Sequence, residues 1–448
     1  MQVTVVGAGR VGLCTALSFA HVGHRVTCVD KRDDAVDSLR RRQPTFFEPG
    51  VADLLRGTDV EFANSLSRES AAAPVIMVAV GTPPLPDGHA DLSAVESVAS
   101  SVASLTPAGR ETTFVIKSTV PPGTCRRVQN LIDDSIAADG ASVSVASNPE
   151  FLRGGSSIID TLCPDRIVIG TADPRAEASL IELYRPIIDQ RFPLPAGISH
   201  PDRTAPVPVV STSLANAELI KYVANAFLAA RLSFVNEVGG LAERVGADIT
   251  EVMKAVGLDP RIGPRYLEAG IGWGGPCFAK DTSALLRLGE DHGYEMPVLQ
   301  STIAVNDRQR RSVVEKLEHA LGPLGGKTVA VLGLAYKPDT DEVIDSPALA
   351  VAAGLVEAGA RVRGYDPLAE QTARRWYPNL DIEYAESALE AARGCDAVLV
   401  MCEWPEFRRL PLGELASAMS GKLLLDGKNY LERRPVEESG LTYLGIGR

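Results

Sequence analysis

A cysteine stands in the run Gly274-Gly275-Pro276-Cys277-Phe278-Ala279-Lys280-Asp281, with a lysine three residues on and a carboxylate four on. Cysteines in folded proteins are mostly small buried hydrophobes. That reading suits the other six, Cys14, Cys28, Cys125, Cys163, Cys395 and Cys402. Cys277 differs, because Gly272, Gly274 and Gly275 are expected to leave backbone and space open in front of it. A helix starting just after Pro276 would set its positive end, together with Lys280, beside a thiolate. Asp281, one turn on, is placed to act as a base or to orient water. Lys221 and Asn225 lie at i and i+4, so a helix aims both at one point, where they would stabilise an oxyanion. An exposed lysine on an amphipathic helix is the plainer account of Lys221 taken alone.

A thiol of this kind needs an electron acceptor to do oxidation chemistry, and the N-terminus offers one. Gln2 to Val6 is a short apolar strand that turns at Gly7-Ala8-Gly9-Arg10-Val11-Gly12 into an alanine-rich helix. A second strand, Arg25 to Val29, ends at Asp30. Strand, glycine turn, helix, strand and acid form the first half of a doubly wound dinucleotide fold. Gly7 permits the turn, Gly9 lets backbone approach phosphate, and Gly12 allows helix and strand to pack. Asp30 would accept the ribose hydroxyls and repel a 2′-phosphate, which favours NAD over NADP. Lys31 and Arg32 follow and read as a solvated charge cluster. Gly81-Thr82-Pro83 and Ser118-Thr119 both follow apolar strands, where ligands sit in open α/β sheets, although turn chemistry alone also uses such residues. Acceptor plus thiol implies oxidation through a covalent acyl intermediate to a carboxylic acid.

These groups must be held by several elements. Val75 to Val80, Thr113 to Lys117, Ser142 to Ala146 and Arg166 to Ile169 read as further strands alternating with helices, the pattern of a parallel sheet. The proline-rich Phe192 to Pro208 reads as a linker. Long helical periodicity follows over Ser213 to Val256 and again over Lys280 to Leu321. Strands at Thr328 to Leu332, Arg361 to Tyr365, Asp396 to Met401 and Leu423 to Leu425, with a helix from Ser346 to Ala358, make the last third a second α/β domain. Its Gly333-Leu334-Ala335-Tyr336-Lys337 keeps only the first glycine of the motif, so it binds a nucleotide differently or is only structural.

At 448 residues two or three domains are expected. A formal charge of −12 argues against nonspecific binding to nucleic acid or an anionic membrane. No apolar run approaches the roughly 20 residues of a membrane span, and nothing resembles a signal peptide. The seven cysteines contain no C-x-x-C pair and the six histidines no metal-binding cluster. No metal is expected, and the cytoplasm is the expected address.

The chain resembles the nucleotide-sugar 6-dehydrogenases, in particular the UDP-glucose dehydrogenases, over essentially its whole length. The resemblance rests on Glu48-Pro49-Gly50, Gly81-Thr82-Pro83, Ser118-Thr119-Val120-Pro121, Asn148-Pro149-Glu150-Phe151-Leu152-Arg153, Ala217-Glu218-Leu219-Ile220-Lys221 through Asn225, Gly274 to Asp281, and Asp339-Thr340-Asp341. It implies an NAD-binding Rossmann-like domain over 1–195, a linker and central helical dimerisation region over 196–300, and a C-terminal Rossmann-like α/β domain over 301–448 that binds the nucleotide sugar. It also implies a four-electron oxidation with two NAD, through a thiohemiacetal and a thioester on Cys277. Carried over position by position, Lys221 and Asn225 stabilise the oxyanion. Asp281, Thr119 and an ordered water handle protons, and Glu150 serves thioester hydrolysis. Phe151, Leu152, Arg153, Tyr266, Leu267 and Gly274 match substrate positions. Arg261 matches an arginine that reaches a neighbouring subunit's site, while Tyr336, Lys337 and Lys428 match the C-terminal contribution. Gly7, Gly9, Arg10, Val11, Gly12, Asp30, Lys31, Gly81, Thr82, Pro83, Ser118, Thr119 and Lys280 match cofactor positions.

Four features depart from the family pattern. Gly154 stands where a second glutamate is usual, which shifts hydrolysis toward Glu150 and Asp281, and Ile344 stands where an arginine is usual. Lys428 replaces a common arginine, keeping charge but losing the planar fork. The Phe192 to Pro208 segment is long for that junction. The expected reaction is oxidation of UDP-glucose, with the thymidine diphosphate analogue close behind and GDP-mannose or N-acetylmannosamine substrates less favoured. Alternatives are a two-electron hydroxy-acid dehydrogenase and a nonenzymatic nucleotide sensor.

Overall fold

Strands that bury every residue need cover on both faces, which is the situation of parallel sheets. The runs Val75–Val78 and Ile167–Gly170 are buried at all four positions. The computed structural model describes residues 1–136, 140–195 and 206–448. The chain divides into two compact units, Met1–Ala224 and Asn225–Arg448, with the boundary inside one helix, Leu214–Val245.

The first unit holds β1 (Gln2–Val6), β2 (Arg25–Val29), β3 (Val60–Ala63), β4 (Val75–Val78), β5 (Glu111–Ile116), β6 (Ser142–Ser147), β7 (Ile167–Gly170) and β8 (Val209–Thr212). They form one sheet in the order β3-β2-β1-β4-β5-β6-β7-β8. Its pairings are parallel except at β6 and β7, which meet antiparallel at Ser147 and Gly170. The order reverses between β1 and β4, where Val3 pairs with Val26 on one side and Val75 on the other. A crevice at such a switch point is where doubly wound sheets hold ligands.

The second unit holds β9 (Thr328–Leu332), β10 (Arg361–Tyr365), β11 (Ile382–Tyr384), β12 (Ala397–Val400), β13 (Leu423–Asp426) and β14 (Thr442–Leu444). They form an all-parallel sheet in the order β11-β10-β9-β12-β13-β14. Asp366 follows β10 as Asp30 follows β2. Its carboxylate accepts from the amides of Leu334, Ala335, Leu368 and Ala369 and from the Trp404 indole.

Helix starts follow local chemistry. Asp173 accepts from the Arg175 amide, with Pro174 in the first turn of helix Pro174–Asp189. Ser346 accepts from the Leu349 amide ahead of Pro347. Both are the expected cap-and-proline starts. Gly170 admits the start of helix Leu214–Val245, since a Cβ there would lie 2.4 Å from that of Ala217.

Two helical tracts expected from periodicity are each broken. Ser213 to Val256 contains two helices, separated at Gly246 (φ +71°) and restarted by the Asp248 cap of Ile249–Val256. Lys280 to Leu321 is also two, Phe278–Asp291 and Pro297–Leu321, parted by Gly293 (φ +64°) and by proline at the second start. Strands β3, β8, β11 and β14 carry too few residues for a period to show. Of the proline-rich Phe192 to Pro208 stretch, residues 196–205 lie outside the described residues. No helix among the described residues is long and apolar enough to cross a membrane.

Asp366→Ala would strand several buried donors at once. Each such loss costs about 1–3 kcal/mol, so the urea midpoint of the variant should fall clearly. An unchanged midpoint would show that the carboxylate does not organise this sheet.

Candidate functional site

The glycine turn after β1 has the shape its sequence implies. Gly7 has φ +103°, and a Cβ there would lie 2.5 Å from the Ala79 carbonyl oxygen. A Cβ on Gly12 would lie 1.8 Å from the Gly7 oxygen, so the helix Arg10–His21 packs as closely as glycine allows. Gly9 has open space where its Cβ would be, which suits a backbone that approaches a pyrophosphate. Asp30 accepts from the Ala8 amide at 2.7 Å. The residues fit a dinucleotide.

Lys31 and Arg32 are both exposed, as a solvated charge cluster would be, and Arg32 also engages Asp30. Its Nε and Nη2 donate to Asp30 at 3.0 and 3.3 Å. Burial would raise the Asp30 carboxyl, but Arg32 and the backbone donors outweigh it and hold it below its ordinary value. Arg10 turns toward Glu48, whose buried carboxylate also accepts from the Gly155 and Ser157 amides. That carboxylate therefore stitches the glycine turn to the segment after Arg153. Thr82 donates to the Thr119 carbonyl and Ser118 to the Val80 carbonyl, so the loop Gly81-Thr82-Pro83 and the loop at Thr119 are fastened to each other.

Lys221 is 3% exposed, which excludes the solvated-lysine account. Its Nζ lies 2.9 Å from Glu150 Oε1, and the Leu152 amide donates to Oε2. Burial would raise the Glu150 carboxyl, yet Lys221, the Leu152 amide and Lys117 hold it below its ordinary value. Phe151 is sandwiched by cations, with the Arg166 guanidinium carbon 3.6 Å and Lys221 Nζ 5.6 Å from its ring centre. Arg153 donates to Asp160 from its amide and its guanidinium. Leu152 is half-buried.

In the second unit Cys277 is the N-cap of helix Phe278–Asp291 and is the exposed cysteine among seven. Burial pushes up the thiols of Cys14, Cys28, Cys125, Cys395 and Cys402. The glycines before Cys277 do not serve open space, as their number suggested. A Cβ on Gly272 would lie 2.6 Å from Asn306 Oδ1, one on Gly274 2.1 Å from the Asp345 carbonyl oxygen, and one on Gly275 2.8 Å from the Tyr336 ring. They are there because neighbours press in. The Asn306 side chain spans Trp273, accepting from its amide and donating to its carbonyl. Arg310 donates to both oxygens of Asp345 and to the Trp273 carbonyl, and the Gly275 amide donates to the Asp345 carbonyl.

Asp281 is 1% exposed and accepts from Asn225 Nδ2 at 2.6 Å and from Lys280 Nζ at 2.7 Å. Lys280 is thus paired with the carboxylate next to it in sequence. Lys428 likewise pairs with Glu403 at 3.1 Å, so its ammonium already has a carboxylate. Tyr336 packs on Gly275 with Lys337 5.8 Å over its ring. Arg261 is exposed and pairs with Asp259. Tyr266 adopts φ +60°, and Leu267 packs at Gly257.

Three groups escaped the reading of residue types. Lys117 is a charge at the end of the apolar run Phe114-Val115-Ile116, a signal that was available but unused. It is buried, and its Nζ donates to Asn148 Oδ1 and Tyr184 Oη. Glu48 belonged to a quoted motif without a role. The Arg310–Asp345 pair spans two helices' worth of sequence and left no local trace.

Comparison with known proteins agrees with this geometry. Residues 1–188 match the model of the UDP-glucose/GDP-mannose dehydrogenase family, NAD binding domain. Residues 215–308 match its central domain and 330–433 its UDP binding domain. The chain is 42% identical to a UDP-glucose 6-dehydrogenase of Rhizobium meliloti, covering all of both chains. It is 40% identical to one of Bacillus subtilis, covering all of this chain and 98% of that one. The solved UDP-glucose dehydrogenase of Pyrobaculum islandicum superposes with a TM-score of 0.88 at 40% identity, covering 100% of this chain and 97% of that one.

Lys221→Met would leave Glu150 buried without its closest cation, a change that typically costs about 3–5 kcal/mol. The wild-type contribution of Glu150 is present at neutral pH and lost as pH falls through its lowered native value. In the variant the carboxyl takes up a proton more readily, so the gap in denaturation midpoint between the two proteins should narrow on acidification. A gap that widens toward acid would contradict the pairing.

Proposed function

Because the chain belongs to the UDP-glucose/GDP-mannose dehydrogenase family and is an NAD-dependent nucleotide-sugar dehydrogenase, we propose that it oxidises UDP-glucose to UDP-glucuronate, with dTDP-glucose the nearest competing substrate. The observation that carries the reading is Cys277, an exposed thiol at the N-cap position of a helix whose first turn bears Asp281 tied to Asn225.

NAD, when bound, supplies the hydride acceptor for both oxidations. In this reading Gly7, Gly9, Arg10, Val11 and Gly12 hold its pyrophosphate and Asp30 its ribose. Lys31, Gly81, Thr82, Pro83, Ser118, Thr119 and Lys280 complete its surroundings. Oxidation of the 6-hydroxyl gives an aldehyde and releases a proton. The Cys277 thiolate then adds to the aldehyde carbon, and the oxygen becomes the oxyanion of a thiohemiacetal. An ammonium has three donors and an amide nitrogen two. Lys221 gives one to Glu150 and Asn225 one to Asp281, which holds both side chains in place for that oxyanion. Oxidation of the adduct gives a thioester. Water attacks it, the thiolate leaves, and Glu150 and Asp281 take the two protons released, with the Thr119 hydroxyl and an ordered water relaying them. Phe151, Leu152, Arg153, Tyr266, Leu267, Gly274, Tyr336, Lys337 and Lys428 are assigned to the nucleotide sugar.

The domains of the reading are 1–195 for NAD, 196–300 for dimerisation and 301–448 for the nucleotide sugar, supported by family-model matches at 1–188, 215–308 and 330–433. A homodimer is supported by helix Leu214–Val245, where Phe227, Phe234, Leu241 and Val245 are each more than half exposed. Their spacing of seven, seven and four residues puts them on one face, and unpartnered apolar stripes of this kind mark association surfaces. Arg261 is assigned to the partner's site. A cytoplasmic address is supported by seven cysteines without disulfides.

Wild-type enzyme should release two NADH per UDP-glucose consumed, where a two-electron dehydrogenase gives one and a sensor none. Cys277→Ala should lower uronate formation by on the order of a thousandfold or more, as loss of a covalent nucleophile does; uronate made at the parent rate would exclude covalent capture. In sedimentation velocity, Phe227→Glu with Phe234→Glu should halve the mass of the main species. A double variant that keeps its parent mass would remove this face as the interface.

A further inference from the structure

Lys117 follows β5 and is 5% exposed. A buried ammonium is costly unless its donors are used. Its Nζ donates to Asn148 Oδ1 at 3.1 Å and to Tyr184 Oη at 3.2 Å. Tyr184, from helix Pro174–Asp189, donates in turn to the same Asn148 oxygen at 2.6 Å. Asn148 spends its Nδ2 on the Val168 carbonyl and its backbone amide on the Ile116 carbonyl. Every bond of Asn148 is thus directed, and the residues that follow are Pro149 and Glu150. Lys117, Asn148, Glu150 and Tyr184 line one cavity of about 40 Å³, together with Asp160, Asp165 and Arg166.

We propose that Lys117 is a positioning residue for the Glu150–Lys221 pair, fixing through Asn148 the loop that carries Glu150 and adding a second buried positive charge beside that carboxylate. The inference rests on the reading of the reaction given above, in which Lys221 steadies an oxyanion. Two ammonium groups and one carboxylate leave this buried cluster with one net positive charge. That surplus favours negative charge developing on a substrate oxygen at Lys221. When Lys117 loses its proton the surplus goes, and the help it gives to negative charge at Lys221 goes with it.

Burial pushes the Lys117 ammonium down to about 8, with Glu150 opposing and Lys221 adding to that shift. The other ionisable groups around it enter from separate elements. Glu150 comes from the loop after β6, Lys221 from helix Leu214–Val245 and Tyr184 from helix Pro174–Asp189. Asp160, from helix Ser157–Leu162, and Asp165 and Arg166, just before β7, complete the lining. Burial raises the Tyr184 hydroxyl, so it stays neutral through this range.

The test compares full-length wild type, Lys117→Met and Tyr184→Phe with NAD and UDP-glucose from about pH 6.5 to about pH 9.5. Wild-type kcat should fall with an apparent pKa of about 8. Lys117→Met should lower kcat about tenfold at neutral pH, equivalent to one pK unit of lost interaction. It should leave KM within about threefold and abolish the alkaline fall, because a group that acts only in the transition state moves kcat rather than KM. Tyr184→Phe loosens Asn148 but leaves the ammonium, so its profile should keep the alkaline fall. A Lys117→Met enzyme that keeps that fall, or one whose only defect is less folded protein, would overturn the inference.

A second measurement needs no substrate. The native Lys117 value lies below its ordinary value of 10.5. Between the two the unfolded chain binds more protons, so wild-type stability gains with rising pH there. The wild-type minus Lys117→Met difference in unfolding midpoint should move in favour of wild type from about pH 7 to about pH 10. A flat difference would overturn the titration of Lys117 whatever the substrate is. No NADH from any nucleotide sugar, with a rising difference, would instead overturn the reading of the reaction and this use of Lys117 with it.

Discussion

A lysine ammonium cannot be buried without an acceptor, and this requirement at Lys221 organises the first unit. Desolvating the charge costs several kcal/mol unless a partner of good geometry is present. Glu150 is that partner, at 2.9 Å. For the two to meet, helix Leu214–Val245 must start close against β7, which Gly170 permits, and the loop after β6 must be held rigidly, which Asn148 does. A pair of this kind adds little net stability over an apolar one. Its presence in the interior is therefore poorly explained by stability alone.

The second unit solves a different problem, the placing of an exposed thiol at the start of a helix. Loops are mobile unless their backbone groups are used. Here the segment before Cys277 is gripped by Asn306, Arg310, Asp345 and Tyr336, at distances that exclude any side chain at 272, 274 or 275. The glycines thus allow rigidity. The sulfur itself projects at the helix N-terminus, where a negative charge is favoured, while Asp281 is held by Asn225 and Lys280.

Both units use a sheet whose order reverses beside its first strand, yet they use the acid after the second strand differently. Asp30 takes one amide from the glycine turn, the Arg32 amide and the half-exposed Arg32 guanidinium. Asp366 is surrounded by four amides and an indole and serves its own fold. The same topology therefore carries a dinucleotide motif in the first unit and a structural carboxylate in the second. Gly333 keeps the close approach of Gly7, with Cys402 in the place of Ala79, while the later glycines of the motif are lacking.

Ten of the fourteen described strands, the glycine turn and the family were legible from residue types, because hydrophobic periodicity and turn chemistry are local. Cys277 was legible because its run of neighbours is short. Burial of Lys221 was not, since an i, i+4 pair of polar residues looks alike on a wet or a dry helix face. Nor were the breaks at Gly246 and Gly293, where periodicity continues across a turn that only backbone geometry reveals. Lys117 with Tyr184, Glu48 with the Gly155 amide, and Arg310 with Asp345 join residues 67, 107 and 35 positions apart. Sequence determined which groups this protein owns; the tertiary structure decided which charges lose their water, and only desolvation turns a lysine into a partner that needs its carboxylate.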